Sequence, residues 1–479
     1  MLYDAASREF VIARDPAPLL PVYRLLVGAN VLFSSDPAMF SCGGAPLRVS
    51  WANLGAHLLR PELRTAQTCL EGVEEVAPGW LRPLDAAAPF GKRLWDPWEF
   101  AAAPWRLSRQ EAVEALRATA VQCVSAWASD ARRVAVAASG GVDSSFVCAA
   151  LAAGEVLFDC ATVATADSSG DESAYVRKLA SALHVRAVAR TYDPEGVDLS
   201  RPASAGLPRP VRKTFQRPFR RAIAEACGEL GADCVFDGNG GDNLFAYIHS
   251  SSPALDRLWS HGPGLGFART VLDLSRLTDI GLPAMLRMIS ARVFRPPAHT
   301  WKSDARLLSP SSVAEHEVAP LTDWLNHPHA RLPGKRAHLK LVMRSQNFLN
   351  DLAGRDVPFA FSPLLSQPLL EFCLSVPTWK WCSGGINRSL AREAFAAELP
   401  ASVTARVSKA GPDSFVRAIF ARNRRGVREL VLGGLLRDHG LIDADAVEAA
   451  CRADEYGEDP TVYRLLDLAE AEAWARSWS

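Results

Sequence analysis

The sequence lacks several features that would place it in a specialised class of protein. It has no net charge, because 53 lysines and arginines balance 53 aspartates and glutamates, and this argues against a general nucleic-acid binder. It has no uninterrupted apolar run of about 18 residues, so no transmembrane helix is expected. Its first residues lack the basic-then-apolar pattern of a signal peptide. None of its ten cysteines forms a Cys-x-x-Cys pair, and most lie in apolar runs, which suits free thiols in the cytoplasm.

The 479 residues are enough for two to three domains. Residues 1–85 contain short strand-like runs, and residues 86–107 form a connector rich in alanine, proline and tryptophan. From about residue 108, strand-like and helix-like segments alternate, which predicts an α/β fold with a parallel sheet covered by helices on both faces. Apolar spacing in the last segment predicts a helix docked on the surface of the core. Strands of the sheet are predicted at 133–138, 156–163, 185–191 and 234–236.

A glycine-containing run, Ser-Gly-Gly-Val-Asp-Ser-Ser at 139–145, follows the first of these strands and opens a helix. A strand, a glycine turn and a helix present backbone N–H groups to a phosphate. There is no lysine after the loop, so it is not the phosphate loop of kinases and GTPases. It resembles the pyrophosphate-binding loop of ATP pyrophosphatases, which split ATP into AMP and pyrophosphate. The predicted ATP-binding residues of this loop are Ser139, Gly140, Gly141, Asp143, Ser144 and Ser145.

A second glycine-rich turn, Asp-Gly-Asn-Gly-Gly-Asp at 237–242, follows the fourth predicted strand. Two such loops at strand ends of one sheet form a pair of backbone cradles. Mg²⁺ requires hard oxygen ligands and usually takes only one or two from the protein. Asp143 and Asp242 meet that requirement, one from each loop, and we predict that both bind the metal and serve catalysis. The predicted ATP-binding glycines of the second loop are Gly238, Gly240 and Gly241.

The pair of loops resembles the synthetase domain of asparagine synthetase, which adenylates a carboxylate and then lets an amine attack it. Residues 68–79 are similar to the end of that family's glutaminase domain, and residues 93–98 are similar to the linker that follows. The resemblance implies an ATP-pyrophosphatase-type sheet domain with added helices at 108–479. It also implies a small, β-rich, degenerate glutaminase-like domain with its linker at 1–107.

Several departures from that family argue against the use of glutamine as an ammonia source. Residue 2 is leucine where the family has its cysteine nucleophile, so no glutaminyl thioester is expected. The family's Gly-Asp-Glu becomes Gly-Asp-Asn at 241–243, and residues 362–367 lack the acid of the family's Arg-x-Pro-Phe-Leu-Asp. The N-terminal region is also about half the length of a working glutaminase domain. The most economical alternative is an amine carried by the substrate itself.

Two subfamilies fit that description, the β-lactam synthetases and the macrolactam synthetases (cyclases) of lasso peptide biosynthesis. Sequence runs similar to those of lasso cyclases occur at 240–243, 363–371, 376–379, 384–388 and 406–412. The resemblance implies that Mg·ATP adenylates an Asp or Glu side chain of a precursor peptide. The N-terminal amine of the peptide then closes the ring, releasing AMP and pyrophosphate. It also implies a leader-binding protein and a leader peptidase as partners.

Other assignments stay open at this point. The alternatives are a β-lactam-type or ammonia-dependent small-molecule amide synthetase, and an inert scaffold of a peptide-processing complex. In the family, a lysine matching Lys409 contacts the acyl-adenylate, where an ammonium offsets growing negative charge, and Arg406 ranks below it. We expect Arg336 and His338 to lie at a solvated helix start, and Trp379 and Trp381 either to line a peptide groove or to pack in the core. The base that deprotonates the amine is not assigned.

Overall fold

The structure is a computed structural model, and it describes most of the chain. The described residues are 2–4, 9–17, 19–42, 44, 46–83, 91–165, 171–193, 197–211, 216–294, 301–314, 318–328, 330–351, 359–406, 413–453 and 460–479. The strands are β1 (Leu2–Asp4), β2 (Glu9–Ala13), β3 (Tyr23–Val27), β4 (Asn30–Ser34), β5 (Val73–Glu75), β6 (Trp80–Pro83), β7 (Lys92–Arg93), β8 (Val134–Ala137), β9 (Phe158–Ala164), β10 (Ala187–Thr191), β11 (Cys234–Phe236) and β12 (Phe359–Phe361).

Twenty α-helices lie in the described residues, and most of them follow β7. The helices are α1 (Ala38–Cys42), α2 (Trp51–Leu59), α3 (Pro97–Ala101), α4 (Arg109–Ala128), α5 (Val142–Ala153), α6 (Ser173–Ala182), α7 (Gln216–Leu230), α8 (Gly241–Leu244), α9 (Ser252–His261), α10 (Leu265–Thr278), α11 (Leu282–Phe294), α12 (Pro310–Ala314), α13 (Pro333–Ser345), α14 (Gln367–Ser375), α15 (Ser389–Ala394), α16 (Ala401–Thr404), α17 (Asp413–Leu432), α18 (Leu435–Asp438), α19 (Ala444–Arg452) and α20 (Thr461–Ser477). None of these helices is long and apolar enough to cross a membrane.

The central sheet has five strands in the order β10-β9-β8-β11-β12. All four neighbouring pairs run parallel, which confirms the predicted α/β fold with a parallel sheet. The four strands predicted from the sequence are present. The fifth strand, β12, was not predicted, because its three residues Phe-Ala-Phe carry too little pattern to separate a strand from a loop.

Side chains alternate between the two faces of this sheet, as the period of a strand requires. On one face, Val134, Val136 and Phe236 join an apolar cluster with residues of α4, α5 and α14. On the other face, Ala135 and Val235 join a cluster with residues of α7, α17 and α20. Burial on both faces explains why these strands read as continuous apolar runs.

Helices α4 and α20 are two long helices on which local and tertiary contacts act differently. Helix α4 begins with a capping box, in which the side chains of Ser108 and Glu111 each bond the other residue's backbone N–H. Helix α20 was expected to be a surface helix. It is instead buried along residues 464–475, because α17, α18 and α19 pack around it. Its charged side chains bond to other segments; Glu470, for example, accepts from Ser204.

The N-terminal segment forms two small antiparallel sheets, ordered β1-β2-β6-β7 and β4-β3-β5. Residues of β3 and α2 belong to the same apolar cluster as α17 and α20. A buried charged group, which we call the Glu75 hub, links these segments. Glu75 accepts hydrogen bonds from Arg14, Arg64 and Arg209 at 2.8 Å, and Arg14 also donates to Gln346. Burial by itself would raise the pKa of Glu75, but the three guanidinium groups outweigh it and lower the pKa to about 2.

Candidate functional site

Two glycine-rich loops follow neighbouring strands of the central sheet. The first joins β8 to α5 through residues 138–141, and the second joins β11 to α8 through residues 237–240. Strand order reverses at β8, since β9 and β10 extend the sheet on one side of it and β11 and β12 on the other. Open α/β sheets bind ligands at the carboxyl ends of their strands at such a switch point. The two loops therefore mark the expected binding site.

Glycines of the second loop let it pack directly against the first turn of α5. A Cβ atom at Gly238 would lie 2.5 Å from the backbone nitrogen of Ser144, and a Cβ atom at Gly241 would lie 2.5 Å from Oδ1 of Asp143. Gly240 has a φ of 86°, which glycine adopts at little cost. These glycines therefore allow the two loops to approach each other, a role that the sequence analysis did not assign to them.

Hydroxyl groups organise the first loop. The backbone N–H of Ser139 donates to Oγ of Ser144 at 3.2 Å, and the N–H of Gly141 donates to Oγ of Ser139 at 3.4 Å. Ser145 is buried, and its hydroxyl has no hydrogen-bond partner in the described part of the chain. Within the described residues no side chain caps the N-terminus of α5, so its first-turn N–H groups and its dipole favour an anion there.

Arg388 joins the carboxylates of the two loops. Its Nη1 donates to the two carboxylate oxygens of Asp143 at 3.0 and 2.9 Å and to Oδ1 of Asp242 at 2.6 Å. Arg388 and Asp143 are each 9% exposed, whereas the side chain of Asp242 is 40% exposed. The loops thus bring Asp143 and Asp242 together, and the Arg388 guanidinium lies between them.

The backbone and the neighbours of Arg388 hold it in that position. Arg388 has a φ of 54°, and its guanidinium lies 4.9 Å from the ring centre of Tyr247. Its Nε donates to Oδ1 of Asn387 at 3.1 Å, an oxygen that also accepts from Arg392 at 2.9 Å. Burial and the nearby Arg388 lower the pKa of Arg392 to about 10. The run 384–388 carried part of the family resemblance, but no role was predicted for Arg388.

Arg406 contacts the first loop from the C-terminal side. Its Nη1 donates to the carbonyl oxygen of Ser139 at 3.3 Å, and its Nη2 donates to Glu172 at 2.6 Å. The guanidinium lies 4.1 Å from the ring centre of Tyr175, the residue that a Cβ at Gly140 would clash with. Arg406 therefore fixes the loop through both its backbone and its aromatic neighbour. Lys409 lies outside the described residues, and its role stays a prediction.

The prediction of a solvated helix start at α13 is wrong for His338. His338 is buried, and its Nε2 lies 2.8 Å from the carbonyl oxygen of Leu244, so it supports the short helix α8 that carries Asp242. Burial lowers the pKa of His338 to about 3. The two tryptophans lie in different environments. Trp381 is buried in the core, whereas Trp379 lines a cavity described below.

The acidic pair fits the requirements of a magnesium ion. Three carboxylate oxygens of Asp143 and Asp242 already face one cationic group, the Arg388 guanidinium. Hard carboxylate oxygens are the ligands that Mg²⁺ prefers, and one or two protein carboxylates suffice when phosphate oxygens supply the rest. The described residues contain no cluster of three or more histidine, cysteine or acidic side chains that would indicate a different metal site.

The fold and the two loops define an α/β nucleotide-binding enzyme with its site at the switch point of the sheet. A protein-family model described as asparagine synthase matches residues 115–476. This match covers well over half of the chain, so the protein belongs to the asparagine synthase family, whose chemistry is ATP-dependent formation of an amide bond. The chain is accordingly an ATP-dependent amide-forming ligase. A comparison with curated proteins found no match.

Proposed function

We propose that this enzyme forms a macrolactam in a ribosomally made peptide of the lasso class. In the first step, an Asp or Glu side chain of the peptide attacks the α-phosphorus of ATP, which forms an acyl-adenylate and releases pyrophosphate. In the second step, the N-terminal amine of the peptide attacks the acyl carbon, which forms the amide and releases AMP. The observation that carries the proposal is the convergence of Asp143 and Asp242 beside the uncapped start of α5.

The loops act on the leaving pyrophosphate. Charge grows on the bridging oxygen and on pyrophosphate as the α-phosphorus is attacked, so donors placed there stabilise the transition state more than the ground state. Backbone N–H groups of α5 and the hydroxyls of Ser139 and Ser144 supply such donors. Mg²⁺, held by Asp143 and Asp242, would neutralise phosphate charge. Arg388 must then give up part of its contact with those carboxylates. Lys409 remains the proposed cation for the acyl-adenylate.

The burial of a thiol in the N-terminal segment supports an amine that comes from the substrate. Residues 1–107 contain two cysteines, Cys42 and Cys69, and Cys69 is buried. Burial raises the pKa of Cys69 to about 12, so it is a poor nucleophile at neutral pH. In this proposal, residues 1–107 are a degenerate glutaminase-like domain that no longer releases ammonia, and residues 108–479 carry the ATP chemistry.

His249 is the base that we propose for the amine. Its ring centre lies 4.4 Å from that of Tyr247, the ring that contacts the guanidinium of Arg388. Partial burial, and after it the charge of Arg388, lowers the pKa of His249 below its usual value. The imidazole is therefore neutral at physiological pH and able to accept a proton. No candidate for this base was predicted from the sequence.

Most of the rate enhancement in this reaction would come from positioning. Holding an amine and an acyl-adenylate in a reactive geometry can contribute about 7–11 kcal/mol. A precursor peptide with a blocked N-terminus cannot react, so a leader peptidase must act first. A leader-binding protein that delivers the precursor completes the proposed set of partners.

The test combines the enzyme with Mg·ATP and a leader-free peptide encoded beside its gene. We expect the peptide to lose one water, measured by mass spectrometry, and ATP to yield AMP and pyrophosphate. Asp143→Ala should abolish both products, whereas Asp445→Ala, at an exposed acid in α19, should leave them unchanged. Formation of ADP would refute the proposed chemistry, and product formation only with added ammonia or with a small-molecule acid would favour the alternative synthetases. Unchanged ring formation by Asp143→Ala would favour an inert scaffold.

A further inference from the structure

A cavity of about 900 Å³ is lined entirely by residues outside the two loops. Residues 101–105, helices α9 and α10, and the segment from Trp379 to Ile386 line it. Its volume is at the upper end of the range for ligand pockets, and no residue of either glycine-rich loop contributes to its wall. It is therefore large enough for several side chains of a ligand that is not the nucleotide.

The charges around this cavity are unbalanced. Five lysines and arginines and two acidic residues line it, and one of the five, Lys335, is buried with its Nζ donating to the carbonyl oxygens of Leu374 and Val376. One of the two acids, Glu393, already pairs with Arg109, and the other is Asp273. Arg269 is exposed and makes no ion pair with a carboxylate in the described part of the chain. The basic residues that line the cavity are Arg109, Arg257, Arg269, Lys335 and Lys380.

Two of these basic side chains, Lys380 and Arg257, lie near tryptophan rings. Nζ of Lys380 lies 5.7 Å from the ring centre of Trp105, and the guanidinium of Arg257 lies 5.6 Å from that of Trp379. Burial, followed by repulsion from Arg109 and Arg257, lowers the pKa of Lys380. An anion in the cavity would relieve this repulsion, and the tryptophan rings would pack against its apolar part.

The cavity is connected to the acidic pair through a single segment of chain. Gly384 and Ile386, which precede Arg388 in the sequence, line the cavity, and so does Glu393, which follows it. Arg388 itself reaches Asp143 and Asp242. A ligand bound in the cavity therefore lies against the same segment that holds the cationic group of the active site.

We propose that the cavity binds an acidic segment of the peptide substrate, with its carboxylates on Lys380 and Arg269 and an apolar or aromatic side chain on Trp379. This inference rests on the proposed function for the peptidic nature of the ligand and on the cavity for its charge. It assigns a substrate-holding role to a part of the fold away from the ATP loops.

Calorimetric titration without ATP tests the proposal. The probe is the blocked peptide acetyl-Trp-Glu-Glu-Glu-amide, and its neutral counterpart has glutamine in place of each glutamate. We expect the acidic probe to bind and to weaken with added salt, and the neutral probe to bind at least tenfold more weakly. Arg269→Gln/Lys380→Gln should weaken the acidic probe about tenfold or more, since two charged donors are lost. Arg221→Gln/Arg425→Gln removes the same charge from exposed helix positions and should bind as the wild type does.

Three results would overturn the inference: no binding of the acidic probe, equal binding by the wild type and Arg269→Gln/Lys380→Gln, or competitive displacement of the probe by AMP. Arg269→Gln by itself, at an exposed position, keeps the test valid if the double variant folds poorly. If the acidic probe does not bind but the enzyme still forms the ring, only the cavity assignment is refuted. If the probe binds but no peptide substrate leads to AMP release, only the proposed function is refuted.

Discussion

Replacement of Arg388 tests whether the two loop carboxylates depend on a cation between them. In Arg388→Gln, Asp143 and Asp242 keep their backbone positions but lose the guanidinium that neutralises both. We expect the variant to be markedly less stable than the wild type in the presence of a chelator. We also expect Mg²⁺ to restore much of the loss, because a divalent cation binds only the folded arrangement of the two acids.

The size of the effect follows from the burial of the pair. Removing one partner of a buried ion pair costs about 3–5 kcal/mol, because the other charge is left uncompensated. Asp143 is 9% exposed and carries that penalty. Asp242 has 40% of its side chain exposed, so water screens its share. We therefore expect a loss near the lower limit, about 3 kcal/mol, which lowers the melting temperature by several degrees.

Thermal unfolding followed by tryptophan fluorescence, with chelator or with Mg²⁺, measures both effects. The control is Arg425→Gln, which removes an arginine whose side chain is 89% exposed and should change the melting temperature little in either condition. An Arg388→Gln variant that melts with the wild type in chelator would contradict this role of Arg388. Equal increases of the melting temperatures of variant and wild type on addition of Mg²⁺ would contradict it as well.

Three further predictions concern the loops, the proposed base and a buried histidine. Gly238→Ala places a Cβ 2.5 Å from a backbone nitrogen of α5 and should reduce AMP formation at least tenfold, whereas Gly228→Ala, which meets nothing within 4 Å, should retain full activity. His249→Gln should lower the rate of ring closure more than that of ATP–pyrophosphate exchange, and the acidic limb of the wild-type pH–rate profile should lie below pH 6.5; equal loss of both rates would contradict the role. His338 has a folded pKa of about 3, so below about pH 6.5 the unfolded state binds a proton that the folded state does not, and stability falls as the pH falls. The free energy of unfolding, measured in urea, should fall by about 2 kcal/mol at pH 5. His338→Gln should reduce this dependence of stability on pH, and His439→Gln, at an exposed position, should not. An unchanged pH dependence in His338→Gln would exclude His338 as its cause.

Local patterns predicted the parts of the site that are continuous in the sequence. The strand, glycine turn and helix around Asp143 follow from residue type and spacing, and so does the loop around Asp242. Their position at one edge of the sheet follows from the parallel order of the strands. Both loops could therefore be predicted without knowledge of long-range contacts.

Arg388 enters the site from far along the chain and was assigned no role. Arg388 follows Asp143 by 245 positions, and an arginine in a glycine-rich run is more often a surface residue. The signal that was available is the cluster of glycines before it, which indicates an unusual backbone; Arg388 itself has a positive φ. The prediction that His338 faces solvent was wrong, and it was made because its neighbours in the sequence are basic. Helix α13 instead buries the His338 side chain in the core.

The Glu75 hub determines how this chain can be dissected. A fragment that begins at residue 108 would retain Arg209, whose side chain is 3% exposed, but would lose the carboxylate that neutralises it. Such a cut would remove the acceptors of Arg209 on Glu75, Thr65 and Gln67, and it would uncover the apolar residues of α17 and α20 that pack with β3 and α2. Truncations, circular permutations and exchanges of the catalytic segment between relatives should therefore carry the first hundred residues along as a structural subunit.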